Sequence, residues 1–220
     1  LILRCIAAAL LGLLMAAGAA RAQNNQPGDF SFYVLSLSWS PAYCETEKSS
    51  RSFQQQCGTK RPFAFVVHGL WPQYERGFPA FCDRNAPRVP QREIDGMLDL
   101  TPSSGLVIQQ WRKHGSCTGM SSSAFFEAVR AARAKVTIPK DFESTETYRT
   151  VSPGAVEQAF LEANPGLKPD MIAVDCDDRR LREVRVCMTK DLAFRSCAEV
   201  DRRTCRLDKM VITPSRAANP

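Results

Sequence analysis

Nine cysteines in 220 residues constrain this chain more tightly than any other feature. A reduced cytosolic protein of this length has little use for so many, so disulfides or a metal must account for them. No two of them stand at the two- to four-residue spacing of a zinc knuckle, and only two histidines are present to help. A metal site would therefore be poorly supplied with ligands. Cys5 differs from the rest in its surroundings. It opens an apolar run that reaches Ala20, preceded by Arg4 and closed by Ala20-Arg21-Ala22. A short basic start, a short apolar core and an Ala-x-Ala end read as a secretory signal peptide over residues 1–22. The run falls short of the roughly 20 residues that span a bilayer. No Met opens the sequence, so the natural start is expected further upstream. Cys5 leaves with the signal, and an even set remains: Cys44, Cys57, Cys82, Cys117, Cys176, Cys187, Cys197 and Cys205. In an exported chain that set implies four disulfides, with on the order of a hundred ways to connect them.

The remaining chain, 23–220, is expected to be one soluble domain. Charged residues at 24% and hydrophobic ones at 44% exclude a disordered chain. The net charge of +6, reduced when Arg4 and Arg21 are removed, leans mildly towards a polyanionic partner. Phe32–Trp39 alternates as a buried strand, with Phe32, Val34, Ser36 and Ser38 on one face and Tyr33, Leu35, Leu37 and Trp39 on the other. Pro62–Val67 is a second short apolar run, too short for a helix and interrupted at Gly69. From Ser103 the spacing of Leu106, Ile108, Trp111 and His114 predicts a helix that Gly115 stops. Ser121–Ser123 can cap a helix over 124–135 carrying Phe125, Phe126, Val129 and Ala132 on one face. Ser152-Pro153 opens another through Ala163. Met171–Cys176, Leu181–Met188 and Asp191–Cys197 read as strands, the middle one with Val184 and Val186 opposite Glu183 and Arg185. Strands early and late with helices between them predict a single α+β domain, a mainly antiparallel sheet with helices packed on it, stapled by disulfides.

The two histidines carry the chemical signal. Each is followed by Gly and lies near Trp: His68 in Val67-His68-Gly69-Leu70-Trp71-Pro72-Gln73, where a strand is expected to end, and His114 in Gln109-Gln110-Trp111-Arg112-Lys113-His114-Gly115, at a helix terminus. The helix end favours His⁺, whereas Arg112 and Lys113 oppose it. One imidazole held neutral and one charged, with a cation between them, suit phosphoryl transfer by general base and general acid. With RNA as substrate the ribose 2′-hydroxyl supplies the nucleophile, and DNA should be inert. Packing alone is the competing account, and for Trp111 it is the preferred one.

These two segments resemble the paired active-site motifs of the ribonuclease T2 family, secreted acid endoribonucleases, and Phe32–Cys44 resembles that family's opening strand. The likeness runs from about Phe30 to Cys205. It implies that His114 is the general base of the cyclising step, His68 the general acid, and Lys113 the cation that stabilises the phosphorane. Trp71 would stack on a base, with Gln73 beside it in the substrate site. The family usually has His-Glu where this chain has Gln109-Gln110. Gln109 then stands in for a phosphate-binding histidine, and Gln110 for a carboxylate that supports the transition state. A Gln amide can donate a hydrogen bond there but cannot exchange a proton.

The resemblance also implies the disulfides Cys44–Cys57, Cys82–Cys117, Cys176–Cys205 and Cys187–Cys197. The expected activity is metal-independent cleavage of single-stranded RNA to 2′,3′-cyclic phosphates and then 3′-phosphates, without a cofactor. RNA is the expected partner, the protein is expected to be a monomer, and its location would be secreted or periplasmic with no membrane contact after signal removal. Two rivals stand beside this reading. One is an RNA-binding or signalling relative weakened in catalysis at Gln109-Gln110, and the other is a disulfide-rich inhibitor or toxin that acts by protein contact.

Overall fold

The computed structural model describes residues 25–47, 51–58 and 63–215, so the signal-peptide reading over 1–22 lies outside the described residues. The elements in chain order are β1 (Phe32–Trp39), α1 (Ser40–Thr46), α2 (Arg51–Cys57), β2 (Phe65–Gln73), α3 (Gln91–Asp95), α4 (Ser104–Lys113), α5 (Ser122–Ala134), β3 (Arg149–Val151), α6 (Pro153–Ala163), β4 (Ile172–Cys176), β5 (Leu181–Met188), α7 (Ala198–Asp201) and β6 (Met210–Ile212). Four strands form an antiparallel sheet in the order β2-β1-β5-β4, and β3 pairs with β6 in a separate ribbon. The α+β architecture is the one expected.

Alternation along β1 sorts the sheet into two unlike faces. Tyr33, Leu35, Leu37 and Trp39 join Val184, Val186, Ile172 and Val174 in the main core. The helices cover that face with Trp111 from α4, Phe125, Phe126 and Val129 from α5, and Val156 and Phe160 from α6. Burying aromatic and aliphatic side chains of this size stabilises by about 1.5–3 kcal/mol each. On the opposite face Phe32 and Val34 pack with Cys187 and Cys197, and the polar Ser36 and Ser38 of the same strand are left facing Arg185 and Glu183 across the β1–β5 pairing.

The helix starts are chemically explicit. The side chains of Ser103, Ser121 and Ser152 accept from the backbone N–H groups of Leu106, Ala124 and Ala155, and of these caps the one at Ser121 is the one expected from the sequence. The four disulfides are those implied by the family resemblance: Cys44–Cys57, Cys82–Cys117, Cys176–Cys205 and Cys187–Cys197. In the chain-entropy account, closing a loop of about 15 residues stabilises by about 3 kcal/mol.

Three sequence expectations are corrected. Asp191–Cys197 is not a strand: Leu192 adopts φ +63°, and only an isolated bridge joins Met188 to Phe194. The Cys187–Cys197 disulfide and the bond from Arg195 N–H to the Cys187 carbonyl fold the segment back on β5. Alternation of polarity there reflects a turn that packs one side, not an extended ladder. The buried side of α4 is Val107, Gln110 and Trp111, whereas Ile108 is exposed. Finally β2 does not end at His68 but continues to Gln73. Helices α1, α2, α3 and α7, at four to seven residues, are too short to show a period.

Candidate active site

The continuation of β2 is made possible by a bulge, and the bulge places His68. Gly69 pairs with Ser36 and Val67 with Leu37, so His68 is an extra residue with no partner on β1. A bulge re-aims side chains on either side of it. Strict alternation would send His68 and Trp71 to opposite faces, but the extra residue puts both on the polar face and still lets Val67 and Leu70 enter the main core. His114 arrives from the other side as the C-terminal cap of α4, its N–H donating to the Gln110 carbonyl at 2.9 Å. Cys82–Cys117 ties the turn after His114 to the loop that follows β2.

One indole joins the two imidazoles. The Trp71 ring centroid is 5.2 Å from that of His68, edge-on, and 5.5 Å from that of His114, stacked at 28°. Trp71 Nε1 donates to Gln110 Oε1 at 2.8 Å. An indole N–H only donates, so it fixes the amide oxygen towards itself and leaves the Gln110 NH₂ free to donate. The two glycines keep this assembly tight. A β-carbon at Gly69 would overlap Gln110 Oε1 and Trp71 Nε1. One at Gly115 would overlap Trp111 Cε3 and come within 2.9 Å of Phe125 Cδ1. Because Trp111 and Phe125 are buried in the core, neither can yield cheaply. Gly115→Ala is expected to destabilise the fold by about 3 kcal/mol and lower the melting temperature by about 10 °C, as a thermal melt would show. A variant melting within about 2 °C of the natural chain would contradict the packing argument.

All seven side chains singled out by the resemblance, His68, Trp71, Gln73, Gln109, Gln110, Lys113 and His114, line one cavity of about 310 Å³. Val34, Phe78, Arg185, Glu199, Val200 and Arg203 complete its wall. A second cavity of about 330 Å³ shares His68 and Gln109 with the first in its lining. Lys113 makes no ion pair with a carboxylate among the described residues, and its ammonium sits 5.8 Å from the Phe78 ring centroid. Trp111 is core, as expected, with its indole N–H donating to the Pro87 carbonyl.

The two imidazoles have opposite surroundings. His114 is 5% exposed, and its Nδ1 has no hydrogen-bond partner among the described residues. Burial, then the Lys113 ammonium and His68, push its pKa down to about 3. Desolvation therefore decides its charge, outweighing the helix-end effect weighed from the sequence. His68 instead places Nδ1 2.5 Å from Glu183 Oε1. Burial raises the Glu183 carboxyl, but the His68 hydrogen bond and the positive charges of His68 and Arg185 overcome it and hold the pKa at about 2. Glu183 and Arg185 were not recognised as site residues from sequence, although their shared face was. The polar Ser36 and Ser38, on one face of a strand that is otherwise apolar, are the signal the sequence offers.

The Ribonuclease T2 family model matches residues 30–197. The chain belongs to that family. It is 33% identical over 188 residues to a ribonuclease of Aeromonas hydrophila, covering 83% of each chain. Its fold is that of an RNase-related protein from Calystegia sepium, with a TM-score of 0.67, 18% identity and coverage of 85% of this chain and 98% of that one. RNase NT, solved in complex with 5′-AMP, superposes with a TM-score of 0.61 at 22% identity, covering 77% of this chain and 95% of that one. As a ribonuclease T2 protein the chain is an endoribonuclease. Among the described residues no helix is long and apolar enough to cross a membrane.

Proposed function

We propose that this family member cleaves single-stranded RNA by transphosphorylation without a metal, at the cavity shared by His68 and His114. The observation that carries the reading is the pair of imidazoles of opposite character against one indole: His114 stripped of water and neutral, His68 bound to a carboxylate. Neutral His114 takes the proton of the ribose 2′-hydroxyl, whose oxygen then forms a bond to phosphorus. The bond to the 5′-oxygen breaks, and protonated His68 delivers its proton to that leaving oxygen. The product is a 2′,3′-cyclic phosphate. In the second step the roles exchange and water opens the ring to a 3′-phosphate.

The phosphorane between these states carries extra negative charge on its equatorial oxygens. In this reading Lys113, which has no carboxylate partner among the described residues, and the Gln110 NH₂ meet that charge, and Gln109 holds the phosphate. Two cavities that share His68 and Gln109 suit the nucleotides that flank one scissile phosphate. Trp71 stacks on His114 on one side, so in this reading it orients the base catalyst as well as offering a surface to a nucleobase. Gln73 lies on the same wall. The ribose provides its own nucleophile, so neither a metal-bound hydroxide nor a cofactor is required, and DNA is inert. The reading requires groups from one chain only and takes the protein to be a monomer. Four disulfides fit an oxidising compartment, and with the signal-peptide pattern they favour a secreted or periplasmic protein.

The test is digestion of RNA in excess EDTA with analysis of the new ends. Cyclic and 3′-phosphate termini at an undiminished rate are expected. Loss of cleavage under chelation, or 5′-phosphate termini, would refute the mechanism.

A further inference from the structure

We infer that Glu183 is the positioning residue for the acid of this reaction, holding the His68 ring by its Nδ1–H so that Nε2 is the nitrogen presented to the leaving oxygen. The inference rests on the reading of His68 as the acid given above.

Glu183 is 7% exposed, an expensive place for a carboxylate unless its oxygens are fully engaged. They are. Oε2 accepts from Ser36 Oγ at 3.0 Å and from Arg185 Nε and Nη2 at 3.0 and 2.8 Å. Oε1 accepts from Ser38 Oγ at 3.2 Å and faces His68 Nδ1 at 2.5 Å. Arg185 is itself tied to Asp175 Oδ2 at 3.2 Å. The β1–β5 register sets Glu183 opposite Ser38 and Arg185 opposite Ser36, and the bulge swings His68 onto the same face.

Arg185 and the two serines already satisfy the carboxylate, so nothing in the packing demands the link to His68. Its consequence is chemical. A carboxylate on Nδ1 selects the tautomer that keeps that proton and fixes the ring plane, so that Nε2 is the nitrogen aimed at the leaving group. Glu183 gains no proton in the reaction; the proton that leaves is the one on Nε2. The charged and titratable groups around the pair include Arg185 and Arg182 on β5, Asp175 on β4, Tyr43 on α1, Lys113 and the capping His114 at the end of α4, Glu199 on α7 and Arg203 just after it. Among the described residues, Glu183 alone is in hydrogen-bonding contact with the His68 ring.

Two substrates separate a positioning role from a merely structural one. A dinucleoside monophosphate releases an alkoxide that needs a proton, whereas a nucleoside 3′-(4-nitrophenyl) phosphate releases a phenolate that does not. Glu183→Gln is expected to lower kcat on the dinucleotide about 100-fold with little change in KM, and to slow the aryl ester less than about fivefold. Glu183→Asp, which keeps the charge, should recover at least about tenfold of the loss.

Equal losses of Glu183→Gln on both substrates, with His68→Ala discriminating between them, would overturn the inference and leave the reaction scheme standing. If His68→Ala itself failed to discriminate, the assignment of the acid would fall and the inference with it. Nitrogen-15 NMR of the unaltered protein gives an answer that needs no variant to fold. The neutral His68 ring should carry its proton on Nδ1, and a proton on Nε2 instead would overturn the proposal.

Discussion

Replacing His114 by alanine is expected to reduce RNA cleavage by about three to four orders of magnitude, the usual contribution of a general base together with the orientation it enforces. The chain should still fold. His114 is buried, but its Nδ1 has no partner among the described residues, so truncation strands no known hydrogen bond at that atom. The main cost is a cavity beside Trp71 and Phe78, both of which stack on or tilt against the ring, and about 1–3 kcal/mol covers it. His68→Ala should lose activity to a similar degree, while Glu183 keeps Arg185 and both serines as partners. The double variant should be little worse than either single one, because groups that act on one transition state are not additive. Initial rates on a homopolymer, with circular dichroism to establish folding, provide the measurement. A folded His114→Ala protein retaining more than about a tenth of natural activity would remove it from the mechanism.

Acidification is expected to destabilise the protein in a defined window. His114 has its pKa lowered from 6.5 to about 3, so the unfolded chain takes up a proton at this site that the folded chain refuses. Its contribution is therefore complete above the unfolded value, shrinks as pH falls below 6.5, and is gone below about 3. By about pH 4 the loss from this group alone is about 3 kcal/mol. Glu183, lowered from 4.5 to about 2, acts in the same direction. Its stabilisation is present above 4.5 and lost as pH falls through about 2, so the two windows overlap. Urea unfolding at a series of pH values should show a midpoint that falls steadily from about pH 6.5 downwards, more steeply below about pH 4.5. His114→Phe, which keeps a ring against Trp71 and cannot ionise, should flatten the upper part of that slope. If the slope between about pH 6.5 and 4.5 were unchanged in this variant, burial of His114 would not be its cause.

The elements legible in advance were those whose information is local. The alternation over Phe32–Trp39, the serine cap of α5, the Ser152-Pro153 opening of α6, and the apolar stripe Phe125, Phe126, Val129 and Ala132 all reside in neighbouring residues. The failures share a cause as well. Asp191–Cys197 alternates in polarity, yet the disulfide at its end and the left-handed Leu192 bend it into a turn. The β2 strand runs past Gly69 and Pro72 because β1 offers it a partner through Gln73, which the residues of β2 do not reveal by themselves. Short helices and the β3–β6 ribbon, whose strands lie about 60 residues apart, carried no periodic signal to read.

The sequence by itself determined the reaction type. The two histidines, each before a glycine and near a tryptophan, pointed to the chemistry, and the likeness of their segments to the ribonuclease T2 motifs named seven residues that line one cavity, because motif residues lie close together in the chain. Only the tertiary structure decided how those residues are tuned. The charge of His114 is set by how much water the sheet and α4 exclude from it, and the partner of His68 comes from a strand 115 residues away, brought alongside by the register of β5 on β1. Desolvation and cross-strand pairing are properties of surfaces in contact. They do not exist until the chain has closed on itself.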